Sequence, residues 1–239
     1  RARWLPGMAS GEIVASFALT EPGAGSNPAG LRTTAKPDGD GWVIDGAKQF
    51  ITNATEAGLF VVFARTQPPS EAGPGIAVFL VPADAPGITV GPHDAKMGQE
   101  GSRTAEVTFS QVRVGPEALV GGDADVGYRA AMASLARGRI HIAALAFGAA
   151  QRALDESVSY AATATQGGTP IGDFQLVQAM IADQQTGVMA GRALVRDTAP
   201  RDATGEDRRI GPSAGQRRSP VRSTVPNGRF TAQHGGVDV

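Results

Sequence analysis

The stretch "GWVIDGAKQFIT", Gly41 to Thr52, decides how the first half of the chain is read. Trp42, Val43 and Ile44 favour extended structure, and Asp45-Gly46 is a favoured two-residue hairpin turn, so the run predicts two short strands folded on each other. Its neighbours continue the pattern. "LFVVFART" (59–66), "IAVFLVP" (76–82), "GITVGP" (87–92) and "TAEVTFSQVRV" (104–114) are short apolar or alternating runs, and "QPPSEAGPG" between the first two is rich in turn formers. Many short strands between about residues 13 and 120, with no long helix among them, predict an antiparallel β-barrel or sandwich.

Beyond that region the period changes. Tyr128, Met132, Leu135, Ile142, Leu145, Ala149 and Leu154 recur at helical spacing between Asp125 and Thr165, with Asp123 or Asp125 as the N-cap. Gly167-Gly168 and Pro170 break the pattern. A second helix, from about Asp173 to about Asp197, sets Phe174, Val177, Ile181 and Val188 on one face. The expected class is therefore α+β: an antiparallel β-barrel or sandwich domain followed by two antiparallel helices. Gly215 to Val239 contain no Leu, Ile or Met and no period, so they are expected to form a disordered or non-native tail.

Bulk composition excludes several function classes. A formal net charge of −1 over 239 residues gives no general attraction to nucleic acid or anionic lipid. Cysteine is absent, which excludes disulfides and thiolate metal sites, and His93, His141 and His234 lie far apart, so no metal is expected. No apolar run is long enough to span a bilayer, and the opening "RARW" is no signal peptide; a cytoplasmic protein is expected. The missing initiator methionine leads us to expect a fragment.

Upstream of the opening stretch lies "FALTEPGAGSN", Phe17 to Asn27. It begins as a strand and ends in glycine. Consecutive N–H groups in such a loop can cradle an anion, but no β-α-β unit surrounds Gly23 and Gly25, and no P-loop Gly-Lys-Ser/Thr follows. Thr20, Ser26 and Thr52-Asn53 place hydroxyl and amide groups near strand ends, which suits hydrogen bonding to a polar planar heterocycle. On residue types alone, a plain inter-strand turn and a ligand loop both remain open, the turn being favoured.

The motifs in their order resemble the acyl-CoA dehydrogenases. That family carries a [FY]-x-[LV]-T-E-P-x-x-G-S-[DN] loop and a K-x-[WFY]-I-T-N strand, matched here by "FALTEPGAGSN" and "KQFITN". "KMGQEGSRTAEVTFSQVRVGPEALVG" is similar to the close of its middle domain, and "LARGRIHIAALAFGAAQRALDESVSYA" and "GGTPIGDFQLVQAMIADQ" resemble the first two helices of its C-terminal domain. The resemblance spans roughly residues 1–213. It implies a linker at 1–12 from a missing N-terminal helical domain, a middle β domain at 13–122, a truncated C-terminal domain (a partial four-helix bundle) at 123–213, and the tail at 214–239. A reading-frame change near residue 214 is the expected origin of that tail.

The resemblance also implies chemistry: FAD-dependent α,β-dehydrogenation of an acyl-CoA thioester. By position, Phe17, Leu19 and Thr20 would line the isoalloxazine, Gly25 would let the backbone approach, and Ser26 would serve both FAD and the CoA chain. Phe50 would stack on the flavin, with Ile51 beside it and Thr52 near N5. Phe174 and Gln175 match a pair that contacts FAD from a neighbouring subunit, although Phe174 is equally explained as helix core. Arg139 matches an arginine near the acyl-CoA, or is a solvated helix arginine. Implied partners are an electron-transfer flavoprotein as acceptor and further copies of the chain, in a homodimer or homotetramer.

Two departures stand out. An Arg-x-x-Phe-Gly turn, whose arginine reaches the FAD pyrophosphate in many members, here has Ala164 and Gly167 at the Arg and Phe positions. No carboxylate takes the place of the catalytic base: the position used by a minority of members is Gly138, and Glu21 belongs to the turn. No catalytic residue is assigned, so the fragment alone is expected not to turn over. The same resemblance admits an acyl-CoA oxidase or flavin monooxygenase, and a remnant that only binds partner subunits.

Overall fold

A computed structural model of the chain describes residues 2–70, 73–122 and 124–204. They cluster into two compact units, one up to Ala131 and one from Met132.

The first unit opens with a short helix, α1 (Leu5–Ser10), and continues as seven strands: β1 (Ala15–Ala18), β2 (Thr34–Asp38), β3 (Gly41–Thr52), β4 (Leu59–Arg65), β5 (Ile76–Pro82), β6 (Ile88–His93) and β7 (Thr104–Val114). They form one sheet in the order β1-β4-β2-β3-β7-β6, with β5 added to β4. The expected all-antiparallel sheet is corrected to a mixed one. β1 runs parallel to β4, Ala15 facing Leu59, and Thr34 of β2 pairs parallel with Arg65 of β4. Alternation of apolar residues reports which face is buried and says nothing of direction. A parallel pair needs a long connection, and between β1 and β4 that connection contains β2 and β3 themselves.

The Asp45-Gly46 turn is also corrected. β3 runs through both residues without folding back, and the hairpin turn lies at Gly39-Asp40, between the paired residues Asp38 and Gly41. Asp45 instead accepts hydrogen bonds from the Gln111 backbone N–H (2.8 Å) and from Gln111 Nε2 on β7. Glycine is needed at 46 for closeness: φ is +152°, and a β-carbon there would overlap Thr33. Two irregularities interrupt the β3–β7 ladder, between Ile44 and Gly46 and between Lys48 and Ile51. The first places Gln111 at φ +52°, the second Phe50 at φ +59°.

The sheet curls on itself. Phe60 of β4 meets Phe109 of β7 edge-on, with centroids 6.0 Å apart, although these strands are not neighbours; Trp42 of β3 meets Phe79 of β5 at 5.4 Å. Inside lie Ile44, Val62, Val81, Val107 and Val112, all without exposed surface, so the sheet is a half-barrel around one apolar core.

The second unit holds most of α2 (Ala124–Thr163), a two-strand hairpin of β8 (Thr165–Gln166) and β9 (Thr169–Pro170), and α3 (Gln175–Thr204). Gly167 (φ +61°) and Gly168 (φ +82°) form the hairpin turn, whose two central residues both need positive φ. The helices pack in opposite directions: Gly191 lies on Phe147, Arg192 Nη1 donates to Gln151 Oε1 (3.0 Å), and Ala161, Ile171 and Val177 share a cluster. The buried stripe of α2 runs through Ile140, Ala143, Phe147, Leu154 and Ala161. Ile142 and Leu145, expected inside, are exposed, because with one partner helix only a narrow stripe is covered. Two long helices, as expected, are found here among the described residues. Asp123, the side chain of Asp125 and the tail 214–239 lie outside the described residues.

Candidate functional site

The ends of β1 and β3 stand side by side. The Gln49 backbone N–H donates to the Thr20 carbonyl (2.9 Å), and Lys48 Nζ donates to the Leu19 carbonyl (3.1 Å). These bonds bring the two predicted segments, 17–20 and 50–52, to one place. On β1 the strand alternation turns Ser16 and Ala18 inward and Phe17 outward, 40% exposed, with its ring 4.7 Å from that of Phe63. On β3 the bulge takes over. It re-aims Phe50, which is 52% exposed and left-handed, a conformation uncommon for an aromatic residue. Ile51 is 1% exposed and belongs to the core, so only its backbone is available to a ligand, while Thr52 is exposed. Leu19 and Thr20 are partly buried.

The loop after β1 is held from beneath. Glu21 and Ala24 close a turn with reciprocal backbone bonds of 3.0 and 3.1 Å around Pro22-Gly23. The Glu21 carboxylate turns inward, 6% exposed, and accepts from the backbone N–H of Arg32 (2.6 Å) and Thr33 (2.9 Å) and from Lys48 Nζ (2.8 Å). Lys48 has no exposed surface. Burial pushes its pKa down to about 8 against the opposing pull of Glu21. Burial works to raise the pKa of Glu21, but the hydrogen bond and charge of Lys48, with the bonds from Thr33 and Arg32, outweigh it and hold the carboxyl below its ordinary range. Further along, Arg65 donates to the carbonyls of Ala29 (2.6 Å), Leu31 (3.1 Å) and Pro74 (2.6 Å), which fixes the loop's return. Gly25 is partly buried and Ser26 exposed.

In the second unit Arg139 is exposed on α2, and Gln175 is the exposed first residue of α3. Phe174, read either as helix core or as a ligand contact, is 43% exposed and precedes the helix, so the core reading is corrected. No group of acidic or histidine side chains able to hold a metal occurs among the described residues.

Sequence reasoning missed Lys48 and Arg65. Lys48 carried a signal, since it stands at the same parity as core-facing Ile44, where an alternating strand turns inward. Arg65 carried none, because its partners are backbone carbonyls of two loops.

A family model for the acyl-CoA dehydrogenase middle domain matches residues 16–112, and one for the acyl-CoA dehydrogenase C-terminal domain matches residues 125–215. The chain belongs to the acyl-CoA dehydrogenase family. It is 40% identical over 191 residues to the human mitochondrial short-chain specific acyl-CoA dehydrogenase, covering 80% of this chain and 46% of that one. The butyryl-CoA dehydrogenase from Megasphaera elsdenii superposes with a TM-score of 0.83 at 33% identity, covering 91% of this chain and 57% of that one. The prolyl acyl carrier protein oxidase AnaB superposes at 0.85 with 30% identity, covering 91% and 57%. The chain thus spans about half the length of the curated relatives it matches.

Proposed function

We propose that this chain is the FAD-binding part of an enzyme that dehydrogenates an acyl-CoA between Cα and Cβ. One observation carries the reading: the half-exposed ring of Phe50, held left-handed on a bulge, beside the end of β1. Backbone strain at a solvent-facing aromatic marks a surface shaped for a ligand. The surrounding groups fit a flavin. Phe17 and Phe50 offer flat apolar faces, and among the described residues the hydroxyls of Thr20, Ser26 and Thr52 make no hydrogen bond to the protein. Glu21, the one acid in the loop, is turned away and neutralised by Lys48, so no carboxylate repels an electron-rich ring.

Bound FAD would supply the acceptor for the β-hydrogen. The chain's own part is to bind and orient: Leu19 and Thr20 at the polar edge of the ring, Gly25 and Ser26 at the approach of the CoA chain, and Phe50 and the backbone of Ile51 against the ring with Thr52 beside it. Phe174 and Gln175 contribute to a second copy's cofactor, and Arg139 to the acyl-CoA. Among the described residues no carboxylate is assigned as the base. The middle domain extends over 13–122 and the helical one over 123–213. An electron-transfer flavoprotein is the acceptor and a homodimer or homotetramer the assembly. No helix among the described residues is long and apolar enough to cross a membrane.

Titrating the 239-residue chain with FAD tests the reading. Saturable binding with a shifted visible band is expected, and no binding refutes it. The likeness to an acyl carrier protein oxidase supports a second reading on the same fold. Rapid reoxidation of the reduced, flavin-loaded chain by O₂ would favour the oxidase; slow reoxidation favours the dehydrogenase.

A further inference from the structure

We propose that Lys48 is a positioning residue: its buried ammonium holds the 19–33 loop in register with the Phe50 bulge and thereby sets the shape of the flavin-binding face. This rests on the proposed FAD site. Lys48 Nζ spans two acceptors on the far side of the chain, the Leu19 carbonyl (3.1 Å) and Glu21 Oε1 (2.8 Å). These acceptors flank Thr20. Glu21 extends the hold by accepting the N–H groups of Arg32 and Thr33, so one side chain organises both the start and the end of the loop. On its own strand Lys48 is the last residue in register before the ladder slips, and Gln49 and Phe50 follow in the bulge. The neighbouring Gln49 N–H adds a third tie, to Thr20. An apolar residue would fill the same space in a core position, so a charge without exposed surface is retained at a desolvation cost. What that charge does, and a methyl group would not, is fix two oxygens of the loop at defined positions.

The test compares the parent chain, Lys48→Met, and Val112→Ala, a core truncation at the far end of the β3–β7 ladder that lowers stability without touching the loop. Amide exchange is followed by mass spectrometry over residues 17–33, alongside FAD affinity and the visible circular dichroism of bound flavin. Lys48→Met is expected to speed exchange of 17–33 by about tenfold or more, to weaken FAD by about tenfold, and to change the flavin dichroism. Val112→Ala should leave all three close to the parent at equal folded fraction. Equal effects in the two variants would show a merely structural lysine and overturn the proposal. Should Lys48→Met not fold, Glu21→Gln, of nearly the same volume, carries the test: faster exchange at 28–33 supports the proposal and parental exchange overturns it. A parent that binds no FAD refutes the flavin site, while the exchange data still decide whether Lys48 holds the loop.

Discussion

Gly191 of α3 packs against the tip of the Phe147 ring of α2: a β-carbon built on Gly191 would fall inside the contact distance of Cζ and both Cε atoms. Both residues are buried. Alanine at 191 gains about 1 kcal/mol of helix propensity but overpacks a filled site by about 1–3 kcal/mol. Gly191→Ala is expected to lower the unfolding free energy of the helical unit, read by urea titration. Adding Phe147→Leu in the same chain should return part of the loss; a stabilised single variant would contradict the packing.

Phe50 presents a different balance. Its left-handed backbone costs of order 1–3 kcal/mol that glycine would not bear, whereas its exposed ring adds little to folding. Phe50→Gly should therefore be no less stable than the parent in thermal unfolding. It should bind FAD about 2- to 10-fold more weakly, since stacking contributes about 0.5–1.5 kcal/mol. A variant that loses stability and keeps its affinity would assign the ring to folding instead.

The Lys48–Glu21 pair predicts two pH windows. Glu21 has its folded pKa below the ordinary 4.5, so the unfolded chain binds more protons there, and its stabilisation is lost as pH falls through that range. Lys48 has its folded pKa near 8 against 10.5. Between these values the folded chain binds fewer protons, so this group makes stability rise with pH. Guanidinium unfolding at a series of pH values should show the alkaline rise in the parent and lose it in Lys48→Met. The acid loss should shrink in Glu21→Gln.

Arg65 contacts three carbonyls with one planar fork. Lysine keeps the charge and loses that geometry. Arg65→Lys is expected to cost about 1–3 kcal/mol, through backbone acceptors left without a donor. Limited proteolysis should then cut within 28–32 or near Pro74 before the rest of the sheet; an unchanged cleavage pattern would mean that water replaces the fork.

Ala164 directly follows α2; its N–H donates to the Tyr160 carbonyl and its own carbonyl accepts from the Ile171 N–H. The backbone of the turn is thus complete without a charged side chain at position 164. Ala164→Arg is expected to tighten FAD by about 10- to 100-fold, the worth of a charged hydrogen bond of about 1.5–3 kcal/mol to a phosphate. Isothermal titration with FAD checks this, and unchanged affinity would show that the turn does not reach the pyrophosphate.

The strands were legible because their runs are short, apolar and bounded by turn formers: 59–66, 76–82, 87–92 and 104–114 lie within a residue or two of β4 to β7. The hairpin at Asp45-Gly46 was misread because a turn dipeptide and a bulge partner need the same glycine, and tertiary contacts, Thr33 packed against Gly46 and Gln111 bonded to Asp45, distinguish them. Phe174 was ambiguous because the helical spacing extends to the residue just before the start of α3.

Residue order alone therefore determined most of the strands, the two long helices, the motif loop and the family, since these rest on local pattern and composition. Tertiary structure alone decided that β1 and β2 run parallel to β4, that Phe50 is turned out by a bulge, and that Lys48 reaches across to Leu19 and Glu21. Each of these depends on contacts between residues far apart in the chain, such as the 27 positions that separate Glu21 from Lys48. Local propensity has no access to such distances; the closing of the sheet around its core creates them.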